Sequence, residues 1–436
     1  MEKVREQFGL EVEGRVEVVE LWTGSWTDPR YFPVRTLMLQ ALVGGLVTAE
    51  ALWRRKVDVL VETSAHSFAP VVGKCLGVKV MSYIHYPTIS SEMVRTVAER
   101  RVDVNNSARM SSSSLASRLK LLYYRCFAQL YHLAAVMTDV VVANSTWTRT
   151  HLEDIFGRAV IVRTVFPPCD VNRYRALSAD RTRKRGLVIS LAQFRPEKSH
   201  ELQLRTLARL RSEYGVDAQL MLVGGVRNRS DEARVRHLEA LAEDLGVRTS
   251  CTFVVNADNR DFYRLLANAD VAIHTMKEEH FGISVVELMA AALVVVAHNS
   301  GGVQSDIIRH RVNGLLAEDV ESYAANLHYA MSLPHEKRRE MEVAARNSVR
   351  RFSDDEFRSN FLEALDPLLS SSHHTRRHNK AHVQKNQAVI RPSVPTAHHS
   401  SNHSSPRFPR TIEASSPPSS LCTRIAGREK KREERL

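Results

Sequence analysis

The chain of 436 residues is long enough for two domains with separate cores, and its 43% apolar and 25% charged residues are ordinary globular values. Five scattered cysteines (Cys75, Cys126, Cys169, Cys251, Cys422), with no CxxC pair, argue against a disulfide framework or a zinc site and favour a reducing compartment. The net charge of +12 is concentrated in the tail, where Ser370–Leu436 holds 13 Lys/Arg against four acids, so the nearly neutral body gives no ground for a nucleic-acid role.

Met1–Glu20 is charged throughout and carries no secretory signal. The early glycines Gly9, Gly14 and Gly24 are isolated, and Gly44-Gly45 lies within an apolar, helix-like stretch. The runs Thr36–Ala49 and Leu121–Ala143 are the nearest to membrane spans. The first is too short for the roughly 18 to 20 residues a bilayer requires, and Arg125 and Asp139 interrupt the second. Both predict buried core helices, with a membrane-surface element as the alternative. Val57–Val61, Val78–Ile84 and Val140–Ala143 predict buried strands with helices between them. Val162–Pro168, ending in Pro167-Pro168, predicts a linker, because consecutive prolines continue neither a helix nor a central strand.

From Gly186 to Leu315 short apolar runs alternate with helix-length segments. Leu187–Ala192, Ala218–Val223, Cys251–Val255, Val271–His274 and Leu293–Ala297 predict strands. Helical patterns lie between them, such as Leu202, Leu204, Leu207 and Leu210, or the charged stretch Asp231–Leu245. This alternation predicts a doubly wound α/β domain with a parallel sheet covered on both faces. Ser353-Asp-Asp-Glu356 predicts the start of a last helix reaching about Leu369. Beyond it, Ser, His, Pro and basic residues without apolar periodicity predict disorder, and the irregular spacing of seven histidines there gives no specific metal site.

The sharpest chemical signal is Glu279-His-Phe-Gly-Ile-Ser-Val-Val-Glu287, set between a strand and an apolar helix, Ser284–Ala292. Its two carboxylates fall at the carboxyl end of a parallel strand, where doubly wound sheets bind ligands. Gly282 permits close backbone approach, and the helix amino terminus favours phosphate. Ser284-x-x-Glu287 also fits a capping box, so Glu287 is either a cap or a ligand contact. Gln193-Phe-Arg195-Pro-Glu-Lys198 follows another strand, and its two cations suit a diphosphate. Gly224-Gly225, followed by Arg227, and Asn299-Ser-Gly-Gly302 add two more loops on the same predicted edge.

The glutamate pair, FRPEK after a strand and NSGG after a later one together resemble the family 4 GT-B glycosyltransferases. HYPTIS (His85–Ser90), NSTWT (Asn144–Thr148), PPCD (Pro167–Asp170), AQFRPEKSH (Ala192–His200), EEHFGISVVELMAA (Glu278–Ala291), HNSGG (His298–Gly302) and RFSDDEF (Arg351–Phe357) extend the match. Within that family they resemble the dolichol-linked oligosaccharide α-1,2-mannosyltransferases of the endoplasmic reticulum. The resemblance implies two Rossmann-like domains facing across a cleft. These would be an acceptor-side domain over residues 1–165, a linker over 166–185, a donor domain over 186–352 and a last helix over 353–369. It implies a retaining transfer of mannose from GDP-mannose to a dolichol-diphosphate oligosaccharide, adding the fourth and fifth mannoses of the N-glycan precursor. Arg195 and Lys198 would hold the diphosphate, Glu287 the ribose hydroxyls, and Glu279 with the backbone of Phe281, Gly282 and Ile283 the mannose. Gly224 and Gly225 would line the donor site. His85 would face the reacting centre, although its strand-end setting also suits a structural histidine.

The resemblance implies that no metal or other cofactor is needed, and no convincing DxD-type motif is found. The expected setting is the cytosolic face of the endoplasmic reticulum membrane, with the membrane surface and other dolichol-pathway transferases as partners. The chain departs from the family in lacking a first strand with a Gly-rich loop and an amino-terminal membrane segment, which suggests a start partway into the first domain. Ala292 stands where many relatives have glycine, and Gln193 where many have an arginine, with Arg195 as the substitute. Two other readings stay open: a catalytically silent scaffold of the same family, and a GT-B enzyme using another nucleotide sugar.

Overall fold

The computed structural model describes residues 17–27, 32, 36–100, 114–178 and 181–379. The readings of the first sixteen residues and of the tail beyond residue 379 lie outside them. The described residues all belong to one compact unit.

The first part begins with α1 (Thr36–Arg54), then β1 (Val59–Glu62), α2 (Ala69–Cys75), β2 (Lys79–Ile84), α3 (Ser91–Ala98), α4 (Ser114–Val136), β3 (Val140–Ala143), α5 (Thr146–Phe156) and β4 (Val162–Thr164). The strands pair in parallel in the order β1-β2-β3-β4. One expectation needs correction. Val162–Thr164, read as linker, is the edge strand β4; the prolines that suggested a linker come only after it ends. The helix beginning at Thr36 carries on past its uncharged run to Arg54, and its charged residues Glu50 and Arg54 pair with each other at 2.8 Å one turn apart. By length and composition α1 could therefore cross a membrane, with 28% of its apolar window buried.

Neither long helix is a fully buried core element. α1 buries Ala41, Gly44, Gly45, Val47 and Leu52 but leaves Leu39, Leu42, Leu46 and Trp53 exposed. On α4, Tyr124, Phe127 and Tyr131 face the core while Leu115, Leu119, Leu122, Leu130, Leu133 and Val136 face outward. The Met38 amide of α1 donates to the Tyr123 hydroxyl of α4 at 2.9 Å.

The second part comprises α6 (Val171–Arg175), β5 (Leu187–Leu191), α7 (His200–Tyr214), β6 (Gln219–Gly224), α8 (Arg229–Asp244), β7 (Cys251–Val255), α9 (Asn259–Asn268) and β8 (Val271–His274). It continues with α10 (Ile283–Ala290), β9 (Val294–His298), β10 (Leu315–Ala317), α11 (Val320–Ser332) and α12 (His335–Ser348). Its six parallel strands are ordered β10-β9-β8-β5-β6-β7. The chain enters at the centre, winds outward through β6 and β7, returns to β8 beside β5 and winds out the other way. β5 and β8 are buried along their whole length, as a sheet covered on both faces requires. The doubly wound reading holds. Its topological switch point, where the loops after adjacent strands diverge to opposite faces and open a crevice, lies between β5 and β8.

The chain crosses between the two sheets near Phe166–Asp170 and again near Phe352–Ser353. The crossings touch: the Cys169 amide donates to the Phe352 carbonyl at 2.9 Å, and Cys169 bridges Ser353. The last helix, α13 (Asp354–Asn379), returns to the first sheet, packing Phe357, Phe361, Ala364 and Leu368 against Met81, Tyr83, Val140 and Val142. The Ser353 hydroxyl accepts from the Glu356 amide at 3.3 Å, the cap expected of that motif. The helix passes the expected end at Leu369 by ten residues, since Ser, His, Thr and Arg there supply no glycine or proline to stop it.

Candidate active site

A cleft of about 1050 Å³ opens at the carboxyl edge of both sheets. His85, Arg195, Lys198, Gly224, Gly225, Glu279, Phe281, Gly282, Ile283 and Glu287 all line it. His85 comes from the end of β2; the rest come from loops after β5, β6 and β8 and from α10.

The centre of the cleft is an ion pair. Lys198 Nζ lies 2.5 Å from Glu279 Oε2 and 3.0 Å from the Met276 sulfur. The partners follow β5 and β8, so the switch point brings them together across 81 residues. Thr275 secures this meeting: its hydroxyl donates to the Lys198 carbonyl at 2.8 Å and accepts from the Gln203 amide group at 2.8 Å. Burial pushes the Glu279 pKa up, but His274 and the Lys198 ammonium outweigh it and bring it down to about 2. His274 Nε2 sits 3.3 Å from the same oxygen and is almost fully enclosed at the end of β8. Lys198 and Glu279 are only 19% and 15% exposed, so neither charge is left to bulk water.

The loop carrying Glu279 is held from behind by the glycines of NSGG. The Gly302 amide donates to the Glu279 carbonyl at 2.7 Å. A Cβ on Gly301 would lie 2.4 Å from the Glu279 carbonyl oxygen, and one on Gly302 equally close to that of His280. The Ser300 hydroxyl accepts from the Glu278 amide at 2.7 Å, and Glu278 itself holds a left-handed φ of 54°. Several contacts thus fix a strained backbone at the edge of the cleft. The glycines of this motif support the loop; they are not assigned a ligand. Gly224 is similarly constrained, because a Cβ there would meet the Ala192 carbonyl oxygen at 2.0 Å.

Phe281 turns its ring away from the cleft into the crossover, 5.8 Å from Phe166 and 5.1 Å from Phe352. Its backbone, with Gly282 and Ile283, remains at the cleft wall and begins α10. Gly282 adopts φ 114° as the N-cap, with no side-chain cap. Helix α10 starts at Ile283, which puts Ser284 inside the first turn, so the Ser284–Glu287 capping box does not form. Glu287 instead accepts a hydrogen bond from the Tyr174 hydroxyl at 3.1 Å. Burial raises its pKa to about 7, opposed by Tyr174 and raised further by Asp170.

Arg195 has a buried Nε with no hydrogen-bond partner, and its nearest acid is Glu197 at 3.7 Å. An unpaired guanidinium nitrogen beside a paired lysine and the amino end of α10 suits an anionic ligand. Burial in the cleft wall lowers the pKa of His85, with Glu62 acting against it, so it favours the neutral imidazole. The sequence reading missed Tyr174, His274 and Thr275. Tyr174 stands four residues after the PPCD motif but belongs to no pattern of its own, and the other two read as strand end. No group of three or more His, Cys, Asp or Glu that could hold a metal occurs among the described residues.

Residues 1–156 match the family described as ALG11 mannosyltransferase N-terminus, and residues 178–348 match glycosyl transferases group 1. A GDP-Man:Man(3)GlcNAc(2)-PP-Dol alpha-1,2-mannosyltransferase of Dictyostelium discoideum is 36% identical over 88% of this chain and 78% of its own length. The Homo sapiens protein of the same description is 37% identical over 83% and 76%. Among solved structures, a glycosyltransferase from Rickettsia africae superposes with a TM-score of 0.57 at 18% identity, covering 76% of this chain and 82% of its own. A trehalose-phosphate synthase from Burkholderia xenovorans gives 0.60 at 15% identity, covering 78% and 80%. These likenesses establish the GT-B fold.

The raised pKa of Glu287 gives a test that needs no ligand. Relative to an unfolded carboxyl near 4.5, the folded protein binds the extra proton, so this contribution is full below about pH 4.5 and is lost as pH rises through about 7. Glu287→Gln should therefore lose less stability than the wild type between pH 5 and pH 8 in urea unfolding. Parallel pH profiles would show that Glu287 is not held protonated.

Proposed function

The chain belongs to the family of the GDP-Man:Man(3)GlcNAc(2)-PP-Dol alpha-1,2-mannosyltransferases, and we propose that the cleft between its sheets transfers mannose from GDP-mannose to a dolichol-diphosphate-linked oligosaccharide. The transfer retains the anomeric configuration and adds the fourth and fifth mannoses in α-1,2 linkage. The observation that carries this reading is the convergence of Lys198, Arg195, Glu279 and Glu287 on one cleft at the switch point.

Lys198 and Arg195 hold the diphosphate, assisted by the amino end of α10. Glu287 accepts from the ribose hydroxyls, with Tyr174 fixing the carboxyl's orientation. Glu279 and the amides around Phe281–Ile283 position the mannose. The bond from the anomeric carbon to the diphosphate breaks as the acceptor oxygen attacks from the same face. The acceptor proton passes to a leaving phosphate oxygen. Negative charge grows on the diphosphate during this step, and the two cations stabilise it where it forms; no metal is called upon. His85 faces the reacting centre from the first sheet as a neutral imidazole.

The lipid-linked acceptor gives the exposed stripes of α1 and α4 a purpose. Leu115 (68% exposed), Leu119 (60%) and Leu122 (59%) share one face of α4 with Arg118 and Arg125. A face of leucines bordered by arginines suits the boundary between acyl chains and anionic headgroups. We place this face, with Leu42, Leu46 and Trp53 of α1, on the cytosolic surface of the endoplasmic reticulum membrane, where other transferases of the dolichol pathway can associate with it. Inserting one exposed leucine contributes about 1.5–3 kcal/mol, so several suffice for attachment.

Purified protein should elongate a trimannosyl dolichol-diphosphate analogue with GDP-mannose, and Glu279→Ala should lower turnover by roughly 10²-fold or more while circular dichroism stays unchanged. Absence of transfer, or transfer only from another nucleotide sugar, would reject the assigned reaction. On vesicles containing anionic lipid the protein should co-float at low salt, and Leu119→Asp combined with Leu122→Asp should leave it in the soluble fraction. Equal flotation of both forms would remove α4 from the membrane face.

A further inference from the structure

Three aromatic rings meet where the two sheets approach each other. Tyr86, immediately after His85, stacks on His280, immediately after Glu279, with ring centroids 4.3 Å apart and planes 4° from parallel. Trp147, at the start of α5, lies nearly parallel to both, 5.5 Å from Tyr86 and 5.7 Å from His280. Tyr86 and Trp147 belong to the first sheet's loops and His280 to the second's, so the stack spans the cleft. A second contact runs beside it. Asp306, buried in the π-helical turn Val303–Ile307, accepts from the Thr146 amide at 2.9 Å and so caps a helix of the opposite domain. Thr148 of the same helix donates its hydroxyl to the His85 carbonyl at 3.2 Å.

The chain order makes this arrangement more than domain packing. Each residue that faces the reacting centre, one from either sheet, is covalently next to one member of the stacked pair. We propose that the Tyr86–His280 stack, backed by Trp147 and by Asp306 on Thr146, sets the separation of His85 and Glu279 across the cleft, making Tyr86 and His280 positioning residues for transfer. This rests on the reading of the cleft as a mannosyltransferase site. Binding of the donor's nucleoside diphosphate does not depend on the stack, since Arg195, Lys198 and Glu287, the residues that hold it, all stand on the second sheet's side. Flat rings are needed, and neither the phenol hydroxyl nor the imidazole nitrogens enter the chemistry.

The test compares Tyr86→Ala and His280→Ala with the ring-preserving Tyr86→Phe and His280→Phe. Misplacing a reacting group by about 1 Å can cost on the order of 10²-fold. Both alanine variants should therefore lose roughly ten- to a hundredfold in kcat, with the affinity for GDP changed by less than about twofold. Both phenylalanine variants should recover most of that loss. Hydrogen exchange in the absence of substrate gives a readout independent of turnover. Tyr86→Ala should speed exchange in two separate segments, 144–150 and 276–284, and Tyr86→Phe should not. Full kcat in the alanine variants, a raised donor KM with kcat intact, or phenylalanine variants as poor as alanine would overturn the proposal. A wild type that transfers no mannose rejects the parent reading. In that case unchanged exchange in Tyr86→Ala rejects the stack as well, and faster exchange in both segments upholds it as the link across the cleft.

Discussion

Lys198 and Glu279 meet because the second sheet begins in its middle. A strand order that starts with β5, winds outward and returns at β8 leaves the loops after these two strands side by side with no strand between them. Whatever those loops carry is forced into contact, and here they carry a cation and a carboxylate, joined at 2.5 Å. Removing one partner of such a largely buried pair commonly costs about 3–5 kcal/mol, because the other is left uncompensated. The surrounding groups are arranged around this fact. Thr275 ties one loop to the other, Gly301 and Gly302 admit the Glu279 backbone, and His274 shares the carboxylate from below. The pair also imposes a condition on function: a diphosphate that recruits Lys198 has to draw it from Glu279.

The rest of the chain holds the two sides of this cleft together. Two crossovers join the sheets and touch each other at Cys169 and Phe352, and the ring of Phe281 packs into that junction between Phe166 and Phe352. The donor loop is thereby anchored to the place where the domains connect. Helix α13 then returns to cover the first sheet, so the chain's described end stabilises its beginning. The outward leucines of α1 and α4 lie on that same first domain, which also supplies His85.

Much of this was legible in residues. Leu187–Leu191 and Val271–His274 announce themselves as short runs, apolar except for Ser190 and His274, because buried parallel strands need apolar side chains on both faces. The polar and glycine-rich segments after them mark the ligand edge. What local pattern could not reveal was pairing at long range. Tyr174 reaches Glu287 across 113 residues, and Asp306 caps a helix 160 residues earlier. Ser284 and Glu287 had the spacing of a capping box, yet the helix takes Gly282 as its cap and hands Glu287 to Tyr174. Val162–Thr164 was hidden by the prolines that follow it. Ala292 adopts φ 57° just after α10, the left-handed geometry that favours glycine.

The measurement closest to the central claim is GDP binding by calorimetry to the wild type, Lys198→Ala and Glu279→Gln. If Lys198 is held by Glu279 until the diphosphate takes it, Lys198→Ala weakens GDP binding at least tenfold, whereas Glu279→Gln tightens it several-fold while abolishing efficient transfer. Equal or weaker GDP binding in Glu279→Gln would contradict the account, because the carboxylate would then not compete for the lysine that receives the diphosphate.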